Sequence, residues 1–289
     1  MACSYLIIGH VTKDLLPDGG FTIGGTATYS SRTALAMGCR VGVVTSVAAD
    51  LVLDSTLSGC EVKRLPAPST TTFENIYTPS GRKQFLHGVA APLGLDAVPP
   101  QWRQPDIVHL GPLVAECDPA LAVGFPGALV GATLQGWMRT WDDTGRVYAG
   151  NWQRAADLLP RVGAAVFSRE DVGGDETIIA EFARLARVLV VTLGAKGCRV
   201  YVDGEARHVP VTPMPEVDPT GAGDIFAAAF FVRLCQSGDP WSSARFANCV
   251  AALSVQRVGW AGTPTRVEIA GIQSASCHIS AACDHASSP

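Results

Sequence analysis

Residues Asp218-Pro219-Thr220-Gly221-Ala222-Gly223-Asp224 run directly into Ile225-Phe226-Ala227-Ala228-Ala229-Phe230-Phe231. This is a small-residue turn opening an apolar helix, with a carboxylate on each side. Gly221 and Gly223 let the backbone turn sharply and come close to a ligand. The first amides of a helix lack intrahelical partners, and the macrodipole is positive there, so the turn attracts an anion. Asp224 stands beside those amides. An anion cradle next to a potential base suits phosphoryl transfer to a hydroxyl, where the protein positions groups, neutralises charge and accepts a proton. A bare GxGD would equally suit a strand-to-helix turn with Asp224 as a cap.

The elements that must hold this turn alternate. Tyr5–Gly9, Val41–Val47, Ile107–Leu110, Ala164–Phe167, Val188–Leu193 and Cys198–Val202 are short apolar runs that predict strands. Thr26–Gly38, Trp152–Leu159, Glu176–Ala186, Asp224–Gln236 and Ser242–Arg257 predict helices. Alternation of this kind predicts an α/β fold with a mostly parallel sheet and helices on both faces. Val62–Leu86 breaks the pattern: polar-apolar segments with turn signals at Pro66, Pro68 and Pro79-Ser80-Gly81. It predicts an antiparallel excursion, a candidate lid.

The 289 residues suffice for one large domain, and 47% hydrophobic against 17% charged residues supports a sizeable core. A net charge of -4 argues against a nucleic-acid partner, which needs a basic footprint. Nine scattered cysteines without a CxxC pair predict a reduced, cytoplasmic setting. The six histidines show no metal-ligand spacing. The N-terminus has no basic run and its apolar stretch is too short to span a membrane, so no membrane association is expected. Residues 271–289, rich in Ser, Ala, Cys and His, are expected to be a disordered tail.

DPTGAGD resembles the C-terminal signature of the ribokinase-like (PfkB) carbohydrate kinases, and the resemblance extends from Tyr5 to about Ile269. It implies a ribokinase-like, doubly wound kinase domain over residues 1–270, with a lid mainly from about 11–22 and 62–88. It also implies an ATP-dependent phosphotransferase with an alcohol group as acceptor. Asp224 would be the base, and the turn of Gly221, Ala222 and Gly223 the anion hole for the transferred phosphoryl. Gly9-His10-Val11-Thr12-Lys13-Asp14 is similar to the family segment whose aspartate receives substrate hydroxyls, which selects Asp14. Phe21-Thr22-Ile23-Gly24-Gly25 resembles the N-terminal GG signature, so Gly24 and Gly25 would approach substrate. Tyr29 stands where many members carry Asn, a departure that bears on pentose specificity. Thr133-Leu134-Gln135-Gly136 resembles a D-x-Q-G segment and selects Gln135 for substrate; Arg139 would face the ligands or the surface.

On the nucleotide side, Ser168-Arg169-Glu170-Asp171 occupies the place of the family's N-x-x-E motif, with Ser for Asn and Asp for Glu. This assigns Ser168 to nucleotide and Asp171 to Mg²⁺ handling; the same residues also read as a helix cap. Thr192-Leu193-Gly194-Ala195-Lys196-Gly197 resembles the T-x-G-x-x-G nucleotide turn, and Asn248 lies on a helix that would flank adenine. In the family, the position of Asp218 helps bind a monovalent cation, K⁺. Tyr29, the segment Ser69–Glu74 and Gly197–Tyr201 look most like the inositol-kinase-like branch, which makes myo-inositol the leading substrate. Ribose, fructose, 2-keto-3-deoxygluconate and adenosine remain alternatives, as does a non-catalytic nucleotide-binding member. No GxGxxG follows the first strand, so a dinucleotide-dependent oxidoreductase is excluded. The resemblance allows a monomer or a homodimer through the lid.

Overall fold

The computed structural model describes residues 3–78 and 81–272. The first half contains strands β1 (Ser4–Ile8), β2 (Thr12–Leu15), β3 (Phe21–Gly24), β4 (Arg40–Val47), β5 (Glu61–Pro66), β6 (Thr72–Thr78), β7 (Gly81–Gly88) and β8 (Ile107–Leu110), with helix α1 (Thr26–Ala36) between β3 and β4. The second half contains β9 (Leu129–Thr133), β10 (Arg139–Trp141), β11 (Val147–Ala149), α2 (Ala155–Leu158), β12 (Ala164–Ser168), α3 (Glu176–Leu185), β13 (Val188–Thr192), β14 (Cys198–Val202) and β15 (Glu205–Val209). Two long helices close it, α4 (Ala222–Ser237) and α5 (Pro240–Ser254).

Nine strands form the main sheet in the order β15-β14-β13-β12-β9-β8-β1-β4-β5. Strands β5 through β13 along that order are parallel, and the β14-β15 hairpin adds an antiparallel edge. The chain winds outward from β1 to β5, then returns to β8 and winds the other way. The order reverses between β1 and β8, and open α/β sheets bind ligands outside the carboxyl ends of their strands at such a point.

Side chains alternate across the sheet with a period of two. Tyr5, Ile7, Val43 and Val190 face the layer of α1, α4 and α5. Leu6, Ile8, Val44 and Leu189 face α2, α3 and several short turns. Helix α4 is apolar all round, with Ile225 through Val232 fully buried, as expected of a helix covered by the sheet on one side and by α1 and α5 on the other. Among the described residues no helix is long and apolar enough to cross a membrane.

A separate four-stranded sheet, β3-β2-β6-β7, stands over the carboxyl end of β1. It corrects the expected lid boundaries. Residues 61–66 pair in parallel with β4 as the edge of the main sheet, anchored by the bond from Ser46 Oγ to the Leu65 carbonyl, so the second arm begins at Thr72. The first arm extends to Gly24, and β2 pairs with β6 in parallel, which makes this sheet mixed. The helix expected over Trp152–Leu159 is one α-turn followed by a 3-10 turn, since Pro160 lies inside the continuation. Of the proposed tail, residues 273–289 lie outside the described residues.

Candidate active site

Every functional segment leaves the carboxyl end of a parallel strand or faces it. A cleft of about 320 Å³ lies between the small sheet and the N-terminus of α4, and Asp14, Gly25, Gln135, Gly221 and Asp224 line it. Asp14 sits on β2 of the small sheet, past the exit of β1, where it accepts from Thr12 Oγ1 at 3.0 Å. Gly24 is required opposite it, because a Cβ there would run into the Asp14 carboxylate. Under the cleft, the buried Glu116 accepts from the amides of His10 at 3.0 Å and of Leu113 and Val114 at 2.8 Å. It thereby pins the exit of β1 to the loop after β8. Nothing in the spacing of the sequence marks Glu116 for this task; its partners are backbone groups about a hundred residues away.

Asp224 occupies the first turn of α4 and is 9% exposed. Thr26 Oγ1 donates to its Oδ1 at 2.8 Å, and Gln135 Nε2 stands 3.5 Å from the same oxygen. Burial pushes the Asp224 carboxyl up to about 6; the Thr26 bond and the Arg139 charge oppose the rise, and Asp171 and Asp14 add to it. A carboxyl held near neutrality matches the working range of a general base. Arg139 donates to Gln135 Oε1 at 2.8 Å and its guanidinium lies 5.7 Å from the centre of the Phe73 ring on β6. Small sheet, Arg139, Gln135 and Asp224 therefore form one chain of contacts. The small sheet also brings Asn75 and Gln84 to the cleft, joined by a bond of 3.0 Å; the sequence gave no spacing signal for either.

The signature turn departs from expectation at one amide. Gly221 is left-handed, with φ 80°, and its Cα packs on the Tyr29 ring so closely that a Cβ would collide with it. Ala222 N–H donates to the Pro219 carbonyl at 3.1 Å, so this amide closes the turn and does not point at a ligand. The amides of Gly223 and Asp224 are the ones that the turn presents. Asp218 clamps the turn from outside: its oxygens accept from Thr220 N–H at 2.9 Å and from Gly259 N–H at 2.8 Å. Burial would raise its carboxyl, but these bonds overcome that and hold it below the ordinary range.

A second cavity of about 340 Å³ opens on the far side of the turn. Thr192, Gly194, Gly197, Gly223 and Asn248 line it together with Ser168, and Phe226, Ala251 and Val255 give it an apolar wall. Asn248 Nδ2 donates to the Val209 carbonyl at 2.9 Å and stands 3.4 Å from that of Pro210, which fixes the strand exit that borders the cavity. Pro219 and Glu170 line both cavities, so the two meet at the signature turn.

Ser168 and Asp171 make a capping box. Asp171 Oδ2 accepts from Ser168 N–H at 2.8 Å, and Ser168 Oγ accepts from Glu170 N–H at 3.2 Å. Asp171 thus serves the turn, and its charge reaches Asp224. Glu170, which the motif passes over as a variable position, presents its carboxylate where the cavities join. Among the described residues no three side chains form a closed metal cage. Glu170 with Asp171 nearby fits the mode of Mg²⁺, which takes one or two carboxylates and completes its shell with substrate phosphates and water.

The profile of the pfkB family carbohydrate kinases matches residues 165–266. A cytidine kinase of Thermococcus kodakarensis is 31% identical over 252 residues, which is 78% of this chain and 86% of that protein. An inositol 3-kinase of Zea mays is 29% identical over 284 residues, covering 88% of this chain and 72% of that one. A solved pyrophosphate-dependent kinase in the ribokinase family, complexed with a pyrophosphate analog and myo-inositol, superposes with a TM-score of 0.77 over 92% of this chain and 99% of its own, at 23% identity. That likeness establishes the ribokinase-like fold. With the signature turn seated at the reversal of the sheet and a 31% identical relative matched over most of its length, the chain belongs to the pfkB family of carbohydrate kinases.

Proposed function

We propose that this kinase transfers the γ-phosphoryl of ATP to a hydroxyl of a neutral polyol, with myo-inositol the first candidate. The observation that carries the reading is the meeting of two cavities at one turn, with Asp14 and Asp224 in the first and an apolar-walled pocket in the second. The first cavity holds Asp14, Asp224 and Glu170 against Arg139 alone among its charged lining residues. Such a balance disfavours an acceptor that is already phosphorylated and favours one rich in hydroxyl donors. The 29% identical inositol 3-kinase supports myo-inositol in particular.

In this mechanism Asp14 and Gln135 orient the acceptor, and Gly24 and Gly25 let it approach the backbone. Asp224 Oδ2 takes the hydroxyl proton while Thr26 holds Oδ1. The amides of Gly223 and Asp224, with the Gly221 turn behind them, receive the charge that develops on the phosphoryl group. Ser168, Thr192, Gly194, Gly197 and Asn248 border the nucleotide. Glu170 and Asp171 would hold Mg²⁺, which supplies neutralisation of the phosphate charge. Asp218 keeps a free lone pair on each oxygen, so K⁺ can sit against the turn that it clamps. Arg139 on Phe73 links closure of the small sheet to the base, and closure would exclude water from the phosphoryl group.

We place the enzyme in the cytoplasm, in line with seven described cysteines that are all unpaired. Leu15, Leu16, Phe21 and Ile76, exposed on the small sheet, support pairing of two copies through it. A nucleoside is the second reading for the acceptor, because Tyr29 and Phe73 offer rings at the cleft and the 31% identical relative is a cytidine kinase.

Release of ADP from ATP and Mg²⁺ over a panel of myo-inositol, ribose, fructose, 2-keto-3-deoxygluconate, cytidine and adenosine tests the reading. The highest kcat/KM is expected with myo-inositol. Preference for cytidine or adenosine would move the acceptor to the second reading. ATP binding without turnover on any acceptor would overturn catalysis.

A further inference from the structure

Chemistry-bearing side chains gather also at the opposite end of the sheet, beneath the amino ends of the strands. Strands β1 and β4 are parallel with Ser4 opposite Arg40, and Arg40 N–H donates to the Cys3 carbonyl at 2.8 Å. The register sets Cys3 beside Cys39, each one residue before its strand. Neighbouring strands run about 4.8 Å apart, inside the Cα separation of roughly 4.4–6.8 Å that a disulfide accepts. The two thiols are in hydrogen-bond contact, and Cys235, in the last turn of α4, reaches the same Cys3 sulfur.

The three thiols are not equivalent. Cys3 is half-buried, Cys39 is buried in the core and Cys235 is exposed. The hydrogen bond from Cys39 holds the Cys3 thiol below its ordinary range, against burial and the Asp106 charge. Cys39 is pushed up, first by giving that bond and then by burial; burial also raises Cys235. A thiolate-prone, reachable sulfur beside a protonated, buried one is the arrangement of a peroxide-reactive thiol with its resolving partner.

We propose that Cys3 and Cys39 form an oxidation site that closes to a reversible disulfide under hydrogen peroxide. The Cys3 thiolate attacks one peroxide oxygen and the O–O bond breaks, giving the sulfenic acid and hydroxide. The Cys39 sulfur then attacks the Cys3 sulfur, its proton leaves with the hydroxyl as water, and the S–S bond forms. Overall, two thiols lose two electrons and two protons, and one peroxide becomes two waters. A link directly between adjacent strands is confined by their backbone spacing, which favours ready reduction. Cys235 remains reduced in this scheme.

Trypsin places the three cysteines on separate peptides, 1–13, 33–40 and 234–245. The reduced full-length protein is treated with dilute hydrogen peroxide, alkylated, digested without reductant and mapped by mass spectrometry. The expected product joins 1–13 to 33–40, forms roughly tenfold or more faster than Cys249 oxidises, and disappears on adding glutathione. C3S should abolish the link and C235S should leave it. A link from 1–13 to 234–245 in its place overturns the proposal, as does accumulation of Cys3 sulfinic or sulfonic acid, or reaction no faster than at Cys249. The wild-type map decides between these results even if a variant folds poorly.

Discussion

Thr26 and Asp224 are joined by a hydrogen bond of 2.8 Å, and this bond ties the first turn of α1 to the first turn of α4. The GG segment that leads into α1 and the glycine turn that leads into α4 are thereby held in one frame. The bond also fixes which Asp224 oxygen is spent on the protein and which is left for the acceptor.

The pH dependence follows from the buried carboxylate. Asp224 must be ionised to accept a proton, and its carboxyl lies at about 6. kcat/KM should be flat above that point and fall about tenfold per pH unit below it. T26V removes a donor that favours the ionised form, so the acid limb should move to higher pH. The pH profiles of the two proteins check this.

Arg139 acts through its neighbours. Its charge favours the ionised form of Asp224, and its bond to Gln135 Oε1 turns the amide Nε2 toward the base. R139M should move the acid limb upward and raise KM for the acceptor about tenfold, as losing a charged hydrogen bond would. KM for ATP should stay unchanged. A purely structural role would move neither the limb nor the ratio of the two KM values.

At Gly221 a side chain meets two obstacles, a φ of 80° and the Tyr29 ring. The conformation alone costs a non-glycine residue roughly 1–2 kcal/mol. G221A should therefore lower the melting temperature and, by displacing the turn, reduce kcat more than it changes ATP affinity. Thermal unfolding and steady-state kinetics measure the two effects.

Asn248 is a positioning residue for the nucleotide pocket. N248A leaves the carbonyls of Val209 and Pro210 without their donor, at a cost of about 1–3 kcal/mol. KM for ATP should rise while KM for the acceptor holds, and calorimetric titration of ATP should show the same loss.

Much of this was legible in the sequence because it rests on local signals. Alternating apolar runs located most of the parallel strands, and the DPTGAGD turn pointed to an anion site beside a base. The pieces that were not legible depend on partners far along the chain. Residues 61–66 carry the polar-apolar texture of a surface hairpin, yet pair with β4 because a parallel edge was open there. Glu170 sits at a position the motif treats as variable, and only the fold brings it to the junction of the cavities. Ala222 offers an amide like its neighbours until the turn closes on Pro219. The capping box of Ser168 and Asp171 was visible as a spacing, but spacing alone did not say that the carboxylate would serve the backbone.

The central claim is that Asp224 accepts the proton of the attacking hydroxyl, and D224N tests it most directly. The raised carboxyl gives the sign for stability. Its contribution is full below the unfolded value and is lost as pH rises through about 6, so the ionised group costs about 3 kcal/mol at pH 8. D224N should therefore fold with a melting temperature at pH 8 equal to or above wild type and bind ATP normally. Its ADP release in the presence of acceptor should fall by about 10²–10⁴-fold, the range a lost general base accounts for. Turnover within threefold of wild type in that stable, ATP-binding variant would contradict the account.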